Sequence, residues 1–282
     1  MAIKLLVDSA SDISKIEAQE MGVELMPMLV SFGDEEYYDG VDLLPEQFFE
    51  KLTTNKNHPK TSQVTPYRFE EAFTKLTANG DEVIAICISS KLSGTYAAAK
   101  QASEKFNGKV FAVDSLSATV GERLLVQYAL KLIEKGLPAR AIADELEVAK
   151  LNLNVMGALD TLEYLKKGGR ISATVAFVGG ALNIKPVVAL LDGEVKMVGK
   201  AIGTKRSQAF LTSYAESKGG INFDMPYCIL WSGIDPSIAT KYAASCDKIF
   251  GDKKNDVPAH VLGSTIGTHV GPGVVGLAFF QK

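Results

Sequence analysis

The stretch EVIAICISSKLSGTYAAAKQA, from Glu82 to Ala102, carries the reading of the fold. EVIAICI is an apolar run without alternation, the mark of a strand covered on both faces. It breaks into Ser89, Ser90, Ser93, Gly94 and Thr95 and resumes as an alanine-rich helix. Strand, short polar loop and helix in that order make one unit of a parallel α/β sheet. The same order recurs on either side. IKLLVD runs to Asp8 and is followed by ISKIEAQEMG, a helical spacing closed by Gly22; KVFAVD is followed by ATVGERLLVQYALKLIEKG. VELMPMLVSF reads as a further strand run and LPEQFFEKLTTN as a helix with Pro45 in its first turn. PYRFEEAFTKLTANG reads as a helix with Thr65 as N-cap and Pro66 at its first position.

After about Lys150 the pattern changes. IKPVVALLDGEVKMVGKA places Asp192-Gly193 between two strand-like runs, a hairpin signal. A helix from about Lys205 to Ser217, the strand PYCILWSG, the helix PSIATKYAASCDKIF and the closing PAHVLGSTIGTHVGPGVVGLAFF follow. The expected architecture is α/β: a parallel-sheet N-terminal domain over residues 1–150, helices on both faces, and an α+β C-terminal domain over 151–282. No linker marks the boundary, so segments of the two can interleave.

Composition is that of a globular chain with a sizeable core: 282 residues, 46% hydrophobic and 22% charged. Thirty basic against 33 acidic residues give a net charge of -3, which argues against nucleic acid as the main partner. The N-terminal apolar run reaches Asp8 too soon for a secretory h-region, and no stretch is long and apolar enough to span a bilayer. Cys87, Cys228 and Cys246 are scattered in apolar or helical patterns and read as buried free thiols in a reducing cytoplasm.

Three loops share one placement. VDSAS (Val7 to Ser11), VDSLS (Val113 to Ser117) and ISSKLSG each follow an apolar strand and precede a helix. Any one serine reads as a helix cap; three loops together deliver hydroxyls and a carboxylate to the carboxyl edge of one sheet, where open α/β sheets bind ligands. Several chemistries fit poorly there. A nucleophile elbow needs G-x-S-x-G, and the residues around Ser93 are Lys91, Leu92, Ser93, Gly94 and Thr95. No Walker A pattern occurs. GPGVVG, Gly271 to Gly276, has the letters of a dinucleotide fingerprint, but a strand follows it and no helix can hold a pyrophosphate. Its glycines are expected to allow a bend or close backbone approach beside His269. Asp8 and Asp12 lack further ligands for a metal, and Asp12 is assigned to the first turn of a helix.

What remains is an anion seat. A Ser-Gly at a helix start offers N–H groups, a hydroxyl and the positive end of a dipole. KTSQVTP (Lys60 to Pro66) supplies Thr61, Ser62 and Gln63 in a polar loop before a helix. In DTLEYLKKGGRIS, Asp160 is expected to cap a helix that Gly168 or Gly169 ends, fixing Arg170 beyond it. Neutral hydroxyl donors suit a carboxylate, whereas a phosphate draws Lys or Arg forks. On a long alkyl chain each buried methylene would add about 0.8 kcal/mol.

These motifs, in this order and across essentially the whole chain, resemble the DegV family of bacterial fatty-acid-binding proteins: VDSASDIS, KTSQVTP, ISSKLSGTY, VDSLSAT, LKKGGRIS, NIKPV and THVGPGVVG. That family includes the acyl-carrying subunits of fatty acid kinases. The resemblance implies a cytoplasmic two-domain protein with one long-chain, palmitate-like fatty acid in a tunnel between the domains, and no cofactor or metal. It implies that Thr61 and Ser93 hydrogen-bond the carboxylate, with Ser62, Gly94, Arg170 and His269 as head-group neighbours. It also implies a separate ATP-binding kinase subunit that phosphorylates the presented acid, so that the chain itself is not an enzyme. The family commonly reads T-S-Q-P where this chain has Val64, which predicts a looser turn. Two other readings stand beside it: a serine hydrolase or acyltransferase using Ser93 with His269, and a binding module for a small phosphorylated metabolite. The basic run at Thr204, Lys205 and Arg206 is a possible docking point or a solvated helix start.

Overall fold

A computed structural model describes residues 2–171 and 183–282. Strand β1 (Ile3–Asp8) leads to α1 (Lys15–Met21) and β2 (Val23–Met26). A small antiparallel sheet follows, made of β3 (Leu29–Phe32), β4 (Glu35–Tyr38) and, after α2 (Pro45–Thr54), β5 (Lys60–Ser62). Helix α3 (Pro66–Thr77), β6 (Glu82–Cys87), α4 (Thr95–Ser103) and β7 (Val110–Asp114) complete a four-stranded parallel sheet of order β2-β1-β6-β7. Helices α5 (Val120–Glu134) and α6 (Ala139–Ala149) lead to β8 (Leu153–Ala158), α7 (Glu163–Lys167), β9 (Ile184–Leu191), β10 (Glu194–Ile202) and α8 (Thr204–Ser217). The chain continues through β11 (Tyr227–Trp231), α9 (Ser237–Ala244), α10 (Asp247–Phe250), β12 (Ala259–Val261), α11 (Ser264–Val270) and β13 (Val275–Phe280). The later strands form a mixed six-stranded sheet of order β10-β9-β8-β13-β11-β12.

Local chemistry accounts for many of the ends. Ser14 and Glu17 form a capping box at the start of α1, and Gly22 closes it in the left-handed region at φ +68. Thr65 caps α3, with Pro66 at its first position. Asp192 (φ 52) and Gly193 (φ 81) both take positive φ between β9 and β10, the requirement of a type I′ hairpin turn. Strand β6 is buried from Val83 to Cys87 without alternation, so both faces of the parallel sheet are covered.

The two large sheets share a core. Helix α5 packs against β1 and β6 of the parallel sheet and β8, β11 and β13 of the mixed one. Its residues Leu124, Leu125 and Val126 are fully buried. Gly121 permits the close approach to β8: a Cβ there would collide with Ser117 Oγ and Val155 Cγ2. Alternation along β13 separates two cores. Ala278 and Phe280 join the α5 side, while Leu277 and Phe279 join the side covered by α8, α9 and α10.

Several local expectations are corrected. VELMPMLVSF is two strands in two sheets, divided at Pro27, which cannot donate to a ladder. Lys60–Ser62 is a strand paired with β3 rather than a loop. Asp12 is not in a helical first turn; it ends a short 3-10 turn at φ 56, and Ser14 opens α1. Asp160 does not cap α7. Its carboxylate accepts from Lys185 Nζ at 2.7 Å, while Thr161 Oγ1 accepts from the Glu163 N–H. The helix drawn through Cys246 breaks there into α9 and α10. The three cysteines are buried and unpaired, as expected.

Candidate functional site

Between the two large sheets lies a cavity of about 250 Å³. Its walls are aliphatic and come from both sheets and α11: Ile88, Val155, Val188, Leu190, Leu230, Leu262 and Ile266 among others. The β9–β10 hairpin closes one side, and Ser89 Oγ donates to the Gly193 carbonyl at 2.7 Å to hold the hairpin tip against the hydroxyl loop. Thr119 and Thr265 line the cavity near the start of α11, and a second set of polar side chains lines it elsewhere. There the strand β5, the start of α4, the end of α7 and the last turn of α11 meet, bringing Thr61, Gln63, Ser93, Gly94, Arg170 and His269 to the wall.

The contacts there are specific. Thr61 Oγ1 and His269 Nε2 lie 2.9 Å apart. Ser93 Oγ and Thr95 Oγ1 are also 2.9 Å apart, and the Thr95 N–H donates to Ser93 Oγ at 3.3 Å. The Val64 N–H donates to Thr95 Oγ1 at 3.3 Å. Arg170 stands just beyond the last turn of α7, its Nε donating to the Leu92 carbonyl and its Nη1 to that of Gly168. Glycines allow the crowding: a Cβ at Gly94 would strike Gln63, and one at Gly168 would strike the His269 ring.

Burial, the nearby Arg170 guanidinium and the neighbouring His58 push the His269 pKa down to about 4. The imidazole is therefore neutral at pH 7. Among the described residues its buried Nδ1 has no partner. With the proton on Nε2 the ring donates to Thr61 Oγ1 and leaves the Thr61 hydroxyl proton to point into the cavity. Among the described residues no carboxylate orients the ring, and its Nε2 faces Thr61 rather than Ser93. The Ser93–His269 pair required by the hydrolase reading is not hydrogen-bonded; the partner of Ser93 is Thr95.

Helix α11, which carries His269, is held at its start by two carboxylates distant in sequence. Asp39, buried, accepts from Ser264 N (2.9 Å), Ser264 Oγ (2.6 Å) and Thr265 N (3.2 Å). Asp12 accepts from Gly263 N at 2.7 Å and meets Thr119 Oγ1 through its other oxygen. Burial raises the Asp12 pKa to about 8, with the charge of Asp39 adding to it. Behind them Asp8, raised by burial to about 7, accepts from the N–H groups of Ala10 and Ile88 and ties β1 to β6.

The family model of the DegV family matches residues 2–282. The chain belongs to the DegV family. A DegV domain-containing protein of Deinococcus radiodurans is 33% identical over 282 residues, 99% of this chain and 98% of that one. Among solved structures, a DegV family protein of Thermus thermophilus, described by its fatty acid binding, superposes with a TM-score of 0.86 at 30% identity over all of both chains. A stearic-acid-binding protein of Eubacterium ventriosum superposes with a TM-score of 0.85 at 25% identity, covering 100% of this chain and 99% of that one. As in these relatives, the DegV chain is a mixed α/β protein with a parallel sheet and a second, mixed sheet.

Within this DegV chain the structure gathers Thr61, Ser93, Gly94, Arg170 and His269 on one cavity wall. Ser62, the next residue along β5, is exposed and off the wall, because neighbours on a strand face opposite ways. Ser172, last in LKKGGRIS, lies outside the described residues. Asp39 and the Val64 N–H went unread in the sequence. The partners of Asp39 are 225 residues away, and nothing local marks them. The Val64 position did carry a signal, since the resemblance implies a proline there and any other residue supplies an N–H.

Proposed function

We propose that this DegV family protein binds a long-chain fatty acid with its alkyl chain in the cavity and its carboxylate at Thr61 and Ser93. One observation carries the reading: a largely aliphatic cavity between two sheets with the Thr61 and Ser93 hydroxyls, Arg170 and His269 in its wall. Two hydroxyls whose oxygens already accept hydrogen bonds have protons to offer an anion. The Arg170 guanidinium adds positive charge without a fork of cations, a balance that suits a monoanion. Gly94 leaves the approach to Ser93 open, and His269 seats Thr61 as a neutral donor.

The role is carriage rather than turnover. Among the described residues Ser93 has no base bonded to it, which removes support from the hydrolase or acyltransferase reading. The carboxylate sits at the half-exposed end of the cavity, where a separate ATP-binding kinase subunit could reach it to form the acyl phosphate. Native mass spectrometry of the purified protein, followed by extraction and identification of what dissociates, tests the reading. A bound fatty acid at near-unit occupancy is the expected result. A clean apo mass that persists after incubation with palmitate, stearate and oleate would overturn it.

A further inference from the structure

Resting on the fatty-acid reading, we infer that Thr95 is a positioning residue for the head group: it turns Ser93 into an obligate donor and so selects an anionic ligand. Thr95 is fully buried and touches no ligand space itself, since it is absent from the cavity wall. Its hydroxyl oxygen accepts from the Val64 N–H. A hydroxyl has one proton and two lone pairs. The buried Thr95 proton needs an acceptor, and among the described residues Ser93 Oγ, 2.9 Å away, is the one it reaches. Ser93 Oγ also accepts from the Thr95 N–H. Both of its lone pairs are then occupied, and among the described residues the remaining proton has no acceptor, which leaves it to the cavity. The order is Val64 N–H to Thr95 Oγ1–H to Ser93 Oγ–H, and donors aligned in a chain polarise one another.

The first donor depends on the residue at position 64: a proline there would have no N–H and would leave Thr95 Oγ1 free to rotate its proton elsewhere. Val64 removes that freedom, and it is fully buried, so water does not compete for its N–H.

The test compares wild type, Ser93→Ala, Thr95→Val and Thr95→Ser for binding of palmitate and of hexadecanol, with melting temperatures in parallel. Thr95→Val keeps the shape and removes the hydroxyl; it is expected to weaken palmitate about tenfold and to shrink the preference for the acid over the alcohol by a similar factor. Thr95→Ser keeps the hydroxyl and is expected to stay within about threefold of wild type. Thr95→Val also orphans the buried Val64 N–H, so the double variant Val64→Pro with Thr95→Val, which removes both partners, separates fold from function. Its stability is expected to recover while its palmitate affinity stays low. Wild type that binds no palmitate would sink the fatty-acid reading itself. Wild type that binds, with Ser93→Ala weakened and Thr95→Val unchanged, would overturn the role of Thr95. Recovery of affinity in the double variant would likewise reduce Thr95 to a structural role.

Discussion

Single ionisable groups inside this molecule are held in the forms that burial favours, and the direction of each shift sets how stability responds to pH. Asp8 and Asp12 have pKa values raised to about 7 and about 8, and Glu122, fully buried, is raised well above the usual range by the same desolvation. Unfolded, all three are ionised above about pH 5. The native state thus binds more protons than the unfolded state from there to about pH 8, and stability falls as pH rises through that window. His260 and His269, lowered to about 4, act oppositely: their contribution is lost as pH falls from about 6.5 to 4. Toward pH 8 the histidines become neutral in both states, and comparing a carboxyl variant with the wild type cancels what they add near pH 6.5. Asp12→Asn, a neutral isostere, is expected to flatten that slope by up to about 1.4 kcal/mol per pH unit. Urea melts of both proteins at pH 6.5, 7.25 and 8 would show it; parallel lines would contradict it.

At the scale of elements, α11 is a seven-residue helix too short to hold its place alone, and it has no local cap at Gly263. Its position comes from Asp39 and Asp12 at its start, from Gly267 packed against Phe48 and Phe49 of α2, and from Gly271 at its end. Asp39→Ala leaves two buried N–H groups and a hydroxyl without their acceptor. A destabilisation of about 2–4 kcal/mol is expected. Because α11 carries His269 to Thr61, fatty-acid affinity is expected to drop as well, measured at a temperature where the variant is folded. Asp34→Ala, an exposed acid in the turn before β4, serves as the control and is expected to change neither.

At the scale of the whole molecule, the cavity exists because two sheets face each other across α5 and the β9–β10 hairpin. The spacing of those layers depends on small contacts. Gly121→Val would push α5 away from β8, since there is no room for a Cβ between Ser117 and Val155. A loss of about 1–3 kcal/mol from overpacking is expected, together with altered chain-length preference, because Val155 is also part of the cavity wall. Competition among saturated acids of different length would read this out; an unchanged ranking in a destabilised variant would show that layer spacing does not set the cavity.

Much of the parallel half was legible in the chain itself. Unalternated runs ending in Asp8, Ser89 and Asp114, each followed by hydroxyls and a helix, specify buried parallel strands and polar loops at one edge, because strand burial and helix capping are written in neighbouring residues. The hairpin at Asp192-Gly193 was equally local. The seat at Thr61, Ser93, Arg170 and His269 was named through motif resemblance rather than through spacing, and sequence alone placed Ser62 there as well. Only the tertiary structure turned Ser62 outward, split VELMPMLVSF between two sheets, and gave Asp12 and Asp39 to a helix more than 200 residues away. Those outcomes rest on pairing and hydrogen bonding between distant segments. No local propensity encodes such partners, because their energy appears only when the two sheets have closed on each other.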